Sequence, residues 1–186
     1  MSRRHAFLIL VVAGGMAAIL LAMGRLPIAA SGTIELWHGR VNDAGNSQHL
    51  SDWYSPSHLI HGLIFYAVLR LAMPRASLGL RASLAAVTEA AWEIAENTPA
   101  VINRYREATA ALGYTGDSVL NSLSDLGFML LGFWLASRLP PRASVALAVG
   151  LELLTLVLIR DNLTLNVLML VHPVPAIRDW QASLPG

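Results

Sequence analysis

The chain has 186 residues, 55% of them hydrophobic and 13% charged, with a net charge of +1 and a mean hydropathy of +0.53. A soluble domain carries about 25% charged residues, so this composition points to one integral membrane domain spanning 1–186 rather than a water-soluble fold. The absence of cysteine excludes disulfides and thiolate-bound metals, and the lack of any basic run excludes nucleic acid as a partner.

The first apolar stretch, 6–24, follows the basic start Ser2-Arg3-Arg4-His5. It is longer than a signal-peptide core of roughly 7–15 residues, and Arg25 precedes the small pair Ala29-Ala30, so it reads as an uncleaved anchor. The polar segment 25–56 holds Gly32, Gly39, Asn42, Asp43, Gly45 and Asn46 as turn signals and is expected to fold over the outer mouth of a bundle. His38 and His49 within it read as solvated loop residues. Further spans are expected near 57–73, 78–96, 118–139 and 143–159, the second ending at Pro74 and the fourth at Pro140-Pro141. Residues 162–171 are apolar but too short to span; with His172-Pro173 they suggest an interfacial or re-entrant segment over 162–180, and a sixth span is the alternative. The fold class is therefore all-α: a polytopic transmembrane bundle of about five spans plus a short carboxyl-terminal interfacial helix.

Arginine placement gives orientation. Arg3, Arg4, Arg75, Arg81, Arg138 and Arg142 flank the short loops on one side, where no acid occurs, so that side is read as cytoplasmic with the amino terminus. The expected location is the bacterial inner membrane, with the polar residues toward the periplasm.

Those polar residues form stripes. His58 and His61 share one face of the second span at i, i+3, with Pro56 in its first turn and Ser55 as its expected cap. Glu89, Glu93 and Glu96 line the third span, and Asp117, Asn121, Ser124 and Asp125 open the fourth. An ionised residue facing lipid costs about 2.5–3.5 kcal/mol even on lenient scales, so these groups should face a shared interior.

Three readings follow. His58, His61, Glu93, Glu96, Asp117 and Asp125 could hold a divalent metal such as zinc, manganese or iron, with Glu93, Glu96, Asp117 and Asp125 also the candidate catalytic acids, acting on an envelope lipid or its headgroup. Alternatively the site binds or passes a solute, with Arg104, Arg106, Asn121, Arg160 and Asn162 as ligand-binding groups. In the third, Arg104 and Arg106 pair with Glu93 and Glu96, and the network only locks the helices. Gly127 and Gly132 read as close-packing positions, Trp92, Tyr105 and Trp134 as interface anchors or packing, and Glu152 as a structural partner of a neighbouring helix.

The segments Tyr54–Gly62 (YSPSHLIHG), Trp92–Thr98 (WEIAENT), Ile102–Glu107 (INRYRE), Gly116–Ser122 (GDSVLNS) and Ile159–Asn166 (IRDNLTLN) together resemble an uncharacterised family of bacterial multi-pass inner-membrane proteins, a domain of unknown function. The resemblance runs over about residues 52–180 and implies a membrane fold without an activity. A looser similarity is to VanZ-like membrane proteins, where His58 or His61, Glu93 or Glu96, Arg104 or Arg106, Asp117 or Asp125 and Gly132 would fill the family's polar and small positions. Asp125 departs from that pattern, being followed by Leu126 and Gly127 where Asn is expected, and Asn97 stands in the usual glutamine region.

Overall fold

The computed structural model describes residues 2–109 and 113–183. Eight helices are formed by them: α1 (Arg3–Ala22), α2 (Ser55–Ala72), α3 (Leu78–Glu96), α4 (Pro99–Ala108), α5 (Val119–Arg138), α6 (Pro141–Ile159), α7 (Leu163–Val171) and α8 (Pro175–Ala182). The fold is the all-α polytopic bundle that the sequence predicts. Three of these helices, α1, α5 and α6, are long and apolar enough to cross a membrane by length and composition alone. The remaining two expected spans are α2 and α3, of 18 and 19 residues. They fall short in composition because α2 carries His58, His61 and Arg70, and α3 carries Arg81, Glu89, Glu93 and Glu96.

The packing explains how such polar helices are accommodated. Helix α3 lies between α1 and α5, and α2 packs on α5, α6 and α3. His58, Arg81, Glu89 and Glu93 are buried in the bundle. Helices α1 and α6 turn apolar side chains outward, with Phe7, Leu10, Val145 and Val157 between 63% and 76% exposed, a surface suited to hydrocarbon. Ala82, Ala85, Ala86 and Ala90 give α3 a small-residue face that meets Ile9, Met16 and Leu20 of α1.

The most extensive helix contact, α2 on α5, rests on two glycines. A Cβ on Gly62 would fall onto the Met129 carbonyl oxygen, and one on Gly132 onto the Leu59 carbonyl oxygen. Neither backbone can approach so closely with a side chain in the way. Gly132 thus has the close-packing place expected of it; Gly127 does not, since nothing lies within 4 Å of its would-be Cβ.

Two local readings are corrected. Ser55 is the first residue of α2, and its hydroxyl accepts the Asp52 N–H at 3.1 Å rather than capping the helix. The connection after α3 contains a helix, α4, started by the Thr98 hydroxyl, which accepts from the Val101 N–H, and by Pro99 at its first position. At the carboxyl-terminal end α7 and α8 are separate short helices. Nine residues in α7 give about 14 Å of length, less than half a bilayer core. Asn162 caps α7, and the Glu152 carboxylate accepts from the N–H groups of Leu163 and Thr164, so Glu152 joins α6 to α7.

Segment 25–56 is pinned over the start of α5. The Val119 and Leu120 N–H groups, which have no partner within their own helix, donate to the carbonyls of Leu26 and Pro27 at 2.8 and 3.1 Å. Ser118 and Asn121 donate to the carbonyls of Gln48 and His49, both at 2.9 Å, and the Gln48 side chain donates to the Gly116 carbonyl at 2.7 Å.

Candidate functional site

Antiparallel packing brings the start of α2, the end of α3 and the start of α5 to one end of the bundle. At their junction lies a pocket of about 680 Å³, counting its open mouth, lined among others by His58, His61, Glu96, Asp117, Asp125 and Asp161. Among the described residues no arginine lines it.

Its floor is a carboxylate–imidazole cluster. Glu89, fully buried, stands between the two histidines: Oε1 lies 2.7 Å from His58 Nδ1, and Oε2 lies 3.1 Å from His61 Nδ1. A carboxylate facing Nδ1 assigns the proton to that nitrogen and leaves the Nε2 lone pair free. His58 Nε2 in turn lies 3.8 Å from Asp125 Oδ2, too far for a hydrogen bond and close to the roughly 3.4 Å edge between two ligands of a tetrahedral metal. Glu93 Oε1 lies 3.4 Å from His58 Nδ1, on the side of the ring that faces Glu89. Both Glu93 oxygens and Asp125 Oδ1 are buried without a hydrogen-bond partner. Buried acceptors are paired in nearly all native structures, and these three, gathered around the His58 ring, are left without a donor. One donor atom each from His58, Glu93 and Asp125 lies within 4.8 Å of the others, as do atoms from His58, His61 and Glu89.

Four of the residues singled out from the sequence as metal ligands, His58, His61, Glu93 and Asp125, are therefore brought together. Glu96 and Asp117 line the pocket but fall outside both clusters. Asp117 is engaged elsewhere, accepting from Asn97 Nδ2 at 2.7 Å and from the Tyr114 hydroxyl at 2.8 Å. Glu89 belonged to the glutamate stripe but was not among the expected ligands; its i, i+4 spacing to Glu93 was the available signal.

Of the expected ligand-binding residues, Asn121 lines the pocket and the other four do not. Arg104 donates to the Leu170 carbonyl at 2.8 Å, Arg106 to the Tyr114 carbonyl at 2.5 Å, and Arg160 to the Trp180 carbonyl at 2.8 Å. Each guanidinium tethers a backbone segment, because loop and helix-end carbonyls need donors. Asn162 caps α7, and Asn121 holds the loop while also lining the pocket. Among the described residues no arginine pairs with Glu93 or Glu96, so the locking ion pairs of the third reading are not formed. The walls instead carry tyrosines: Tyr54 donates to Asp161 at 3.2 Å and Tyr105 to Asn166 at 2.7 Å. Burial pushes the carboxyls of Asp117 and Asp161 up to about 6.

His38 and His49 are also corrected: both are 3% exposed and stacked, with ring centroids 4.8 Å apart. With Glu35 they place donor atoms within 4.8 Å of one another, yet their lone pairs are spent. His49 Nδ1 accepts the Glu35 N–H at 3.2 Å, and both His38 nitrogens face carboxylates, Glu35 and Asp43, each at 2.8 Å. The arrangement suits an imidazolium clasp, not a metal. Burial lowers the His38 pKa, but the bonds to Glu35 and Asp43 outweigh it and raise it above 6.5. The bond to His38 lowers Glu35; Asp43 is raised by burial and lowered further by His38 and the Gly45 N–H. The stabilisation from His38 is complete below about pH 6.5 and lost as pH rises through its folded value, while that from the acids is lost on acidification below about pH 4. Amide exchange across residues 35–52 should therefore accelerate, beyond the intrinsic rate change, between about pH 6 and pH 8.5, and His38→Gln should abolish the difference. An unchanged protection ratio contradicts the clasp.

Fold and site together define a polytopic helical membrane protein with a buried carboxylate–imidazole centre. The chain belongs to the family described as Protein of unknown function (DUF2585), whose model matches residues 20–183. It is similar to the UPF0314 protein of Sphingopyxis alaskensis, 60% identical over 90% of this chain and 89% of the relative. It is likewise similar to the UPF0314 protein of Paracoccus denitrificans, 56% identical over 96% and 91% of the two chains, and to that of Rhizobium meliloti, 55% identical over 98% and 94%. No solved structure matches the chain.

Proposed function

We propose that this is a bacterial inner-membrane protein that holds a divalent metal between His58, Glu93 and Asp125 and presents it, through a pocket on the periplasmic side, to the headgroup of an envelope lipid. The observation that carries the reading is Glu93: a buried carboxylate with neither oxygen hydrogen-bonded, its Oε1 3.4 Å from an imidazole that Glu89 already holds by Nδ1. A carboxylate fixing the far nitrogen of a ligating histidine is the usual support of a metal site. Nitrogen and oxygen donors without sulfur suit zinc, manganese or iron. When bound, such an ion supplies a Lewis acid for a phosphoryl or carbonyl oxygen. The arginine-rich flank beside α1 supports an inward amino terminus and hence an outward pocket.

The test is thermal unfolding of detergent-purified protein stripped by chelator and then titrated with Zn²⁺ or Mn²⁺. Saturation at about 100 times Kd should raise Tm by roughly 5–10 °C. A soluble glycerophosphodiester should add a further rise in the metal-loaded protein alone. A flat response to both ions contradicts the metal, and a metal response without a headgroup response contradicts the lipid assignment.

A further inference from the structure

Arg81 stands one turn into α3, about 18 Å along the helix from Glu93 and so at the opposite end of the bundle from the pocket. It is 5% exposed, and its Nε and Nη1 are buried with no hydrogen-bond partner. Its guanidinium carbon lies 5.7 Å from the centre of the Tyr66 ring, and among the described residues no ion pair includes it. A guanidinium stays charged in any environment, so burial without a counter-charge is strongly unfavourable.

The chain cannot supply that counter-charge. Residues 1–34, 53–88 and 126–151 contain no Asp or Glu. Those stretches provide every helix end at this side: the start of α1, the end of α2, the start of α3, the end of α5 and the start of α6. What gathers there instead is more positive charge, from Arg3, Arg4, Arg70, Arg75, Arg138 and Arg142. A group of the opposite sign has to come from outside the polypeptide, and at the end of a membrane bundle the abundant one is the lipid phosphate. Guanidinium and phosphate oxyanion are matched in hydrogen-bond geometry as well as in charge.

We propose that Arg81 is the anchor of a phosphate-oxyanion site, filled by the phosphodiester of a membrane lipid, at the end of the bundle opposite the pocket. The experiment uses full-length protein delipidated in a non-ionic detergent, with thermal unfolding followed as phosphatidylglycerol, diacylglycerol or inorganic phosphate is added. Phosphatidylglycerol should raise Tm by about 5 °C in the wild type and in Arg75→Gln, an exposed control, but not in Arg81→Met. Arg81→Met should be at least as stable as wild type in lipid-free detergent, since it removes an unpaired buried charge. Equal rises in wild type and Arg81→Met, an equal rise with diacylglycerol, or unfolding of Arg81→Met without lipid overturns the site. A rise of the same size with inorganic phosphate keeps the oxyanion and overturns the lipid as its source. Native mass spectrometry of the wild type, which needs no variant, should retain one phospholipid per chain; none retained overturns the proposal.

Discussion

Glu93→Gln should invert the order of stability between wild type and variant when metal is added. Glutamine keeps the shape of the side chain and removes the charge that has no donor around it. Without metal the variant should match or exceed wild type, by up to about 3 kcal/mol, because a buried uncompensated carboxylate is a liability. With metal the wild type should gain and the variant should not, so the two melting curves exchange places. Glu89→Gln is the informative companion. It leaves the proposed ligands in place but removes the acceptor that holds His58 and His61 by their Nδ1 atoms, and should weaken metal binding by about 10–100-fold without abolishing it. A Glu93→Gln variant that is less stable than wild type under both conditions would place the carboxylate in an ordinary structural role.

The second large effect lies at the crossing of α2 and α5. Gly132→Ala would set a methyl group on the Leu59 carbonyl oxygen, and Gly62→Ala one on the Met129 carbonyl oxygen. Backbone cannot yield as a flexible side chain does, so each should cost more than the usual 1–3 kcal/mol of overpacking and lower Tm by about 10 °C or more. The damage should reach the site as well. Leu59 follows His58 directly, and Asp125 is two turns before Gly132 on α5, so forcing the helices apart widens the 3.8 Å gap between His58 and Asp125. Loss of metal response should accompany the loss of stability. Gly127→Ala, with open space around it, should change neither, which separates crowding at the crossing from a general dislike of alanine in α5.

Much of this arrangement was legible in the sequence because hydrocarbon imposes simple rules. Hydrophobic stretches located the long helices, and the depth at which acids fell predicted that His58, His61, Glu93, Glu96, Asp117 and Asp125 would meet; Glu96 and Asp117 stand apart from the clusters the others form. The partners of the arginines were not legible. Charge alone suggests that Arg104 and Arg106 should seek Glu93 and Glu96, but which guanidinium reaches which group depends on how α4 and α7 dock. Docking placed backbone carbonyls nearer than carboxylates. The roles of Glu89 and Asp117 could not be told apart for the same reason. Both sit on polar stripes, and only the packing of α3 against α2 and α5 shows that Glu89 faces two imidazoles while Asp117, just before α5, faces Asn97 and Tyr114. His38 and His49 looked solvated because a glycine-rich loop usually is; long-range hydrogen bonds to α5, invisible to local pattern, buried them. The short α4 was readable after the fact from Thr98-Pro99, but its polar composition hid it among the turn residues.

The proposed function stands or falls on metal coordination by the orphaned carboxylates at the floor of the pocket. Elemental analysis of protein purified in detergent without chelator, alongside Glu93→Gln and Asp125→Asn, addresses it most directly. The wild type should carry close to one zinc, manganese or iron per chain, and both variants should lose nearly all of it while each still folds. Wild-type protein free of all three metals, even after dialysis against them, would contradict it.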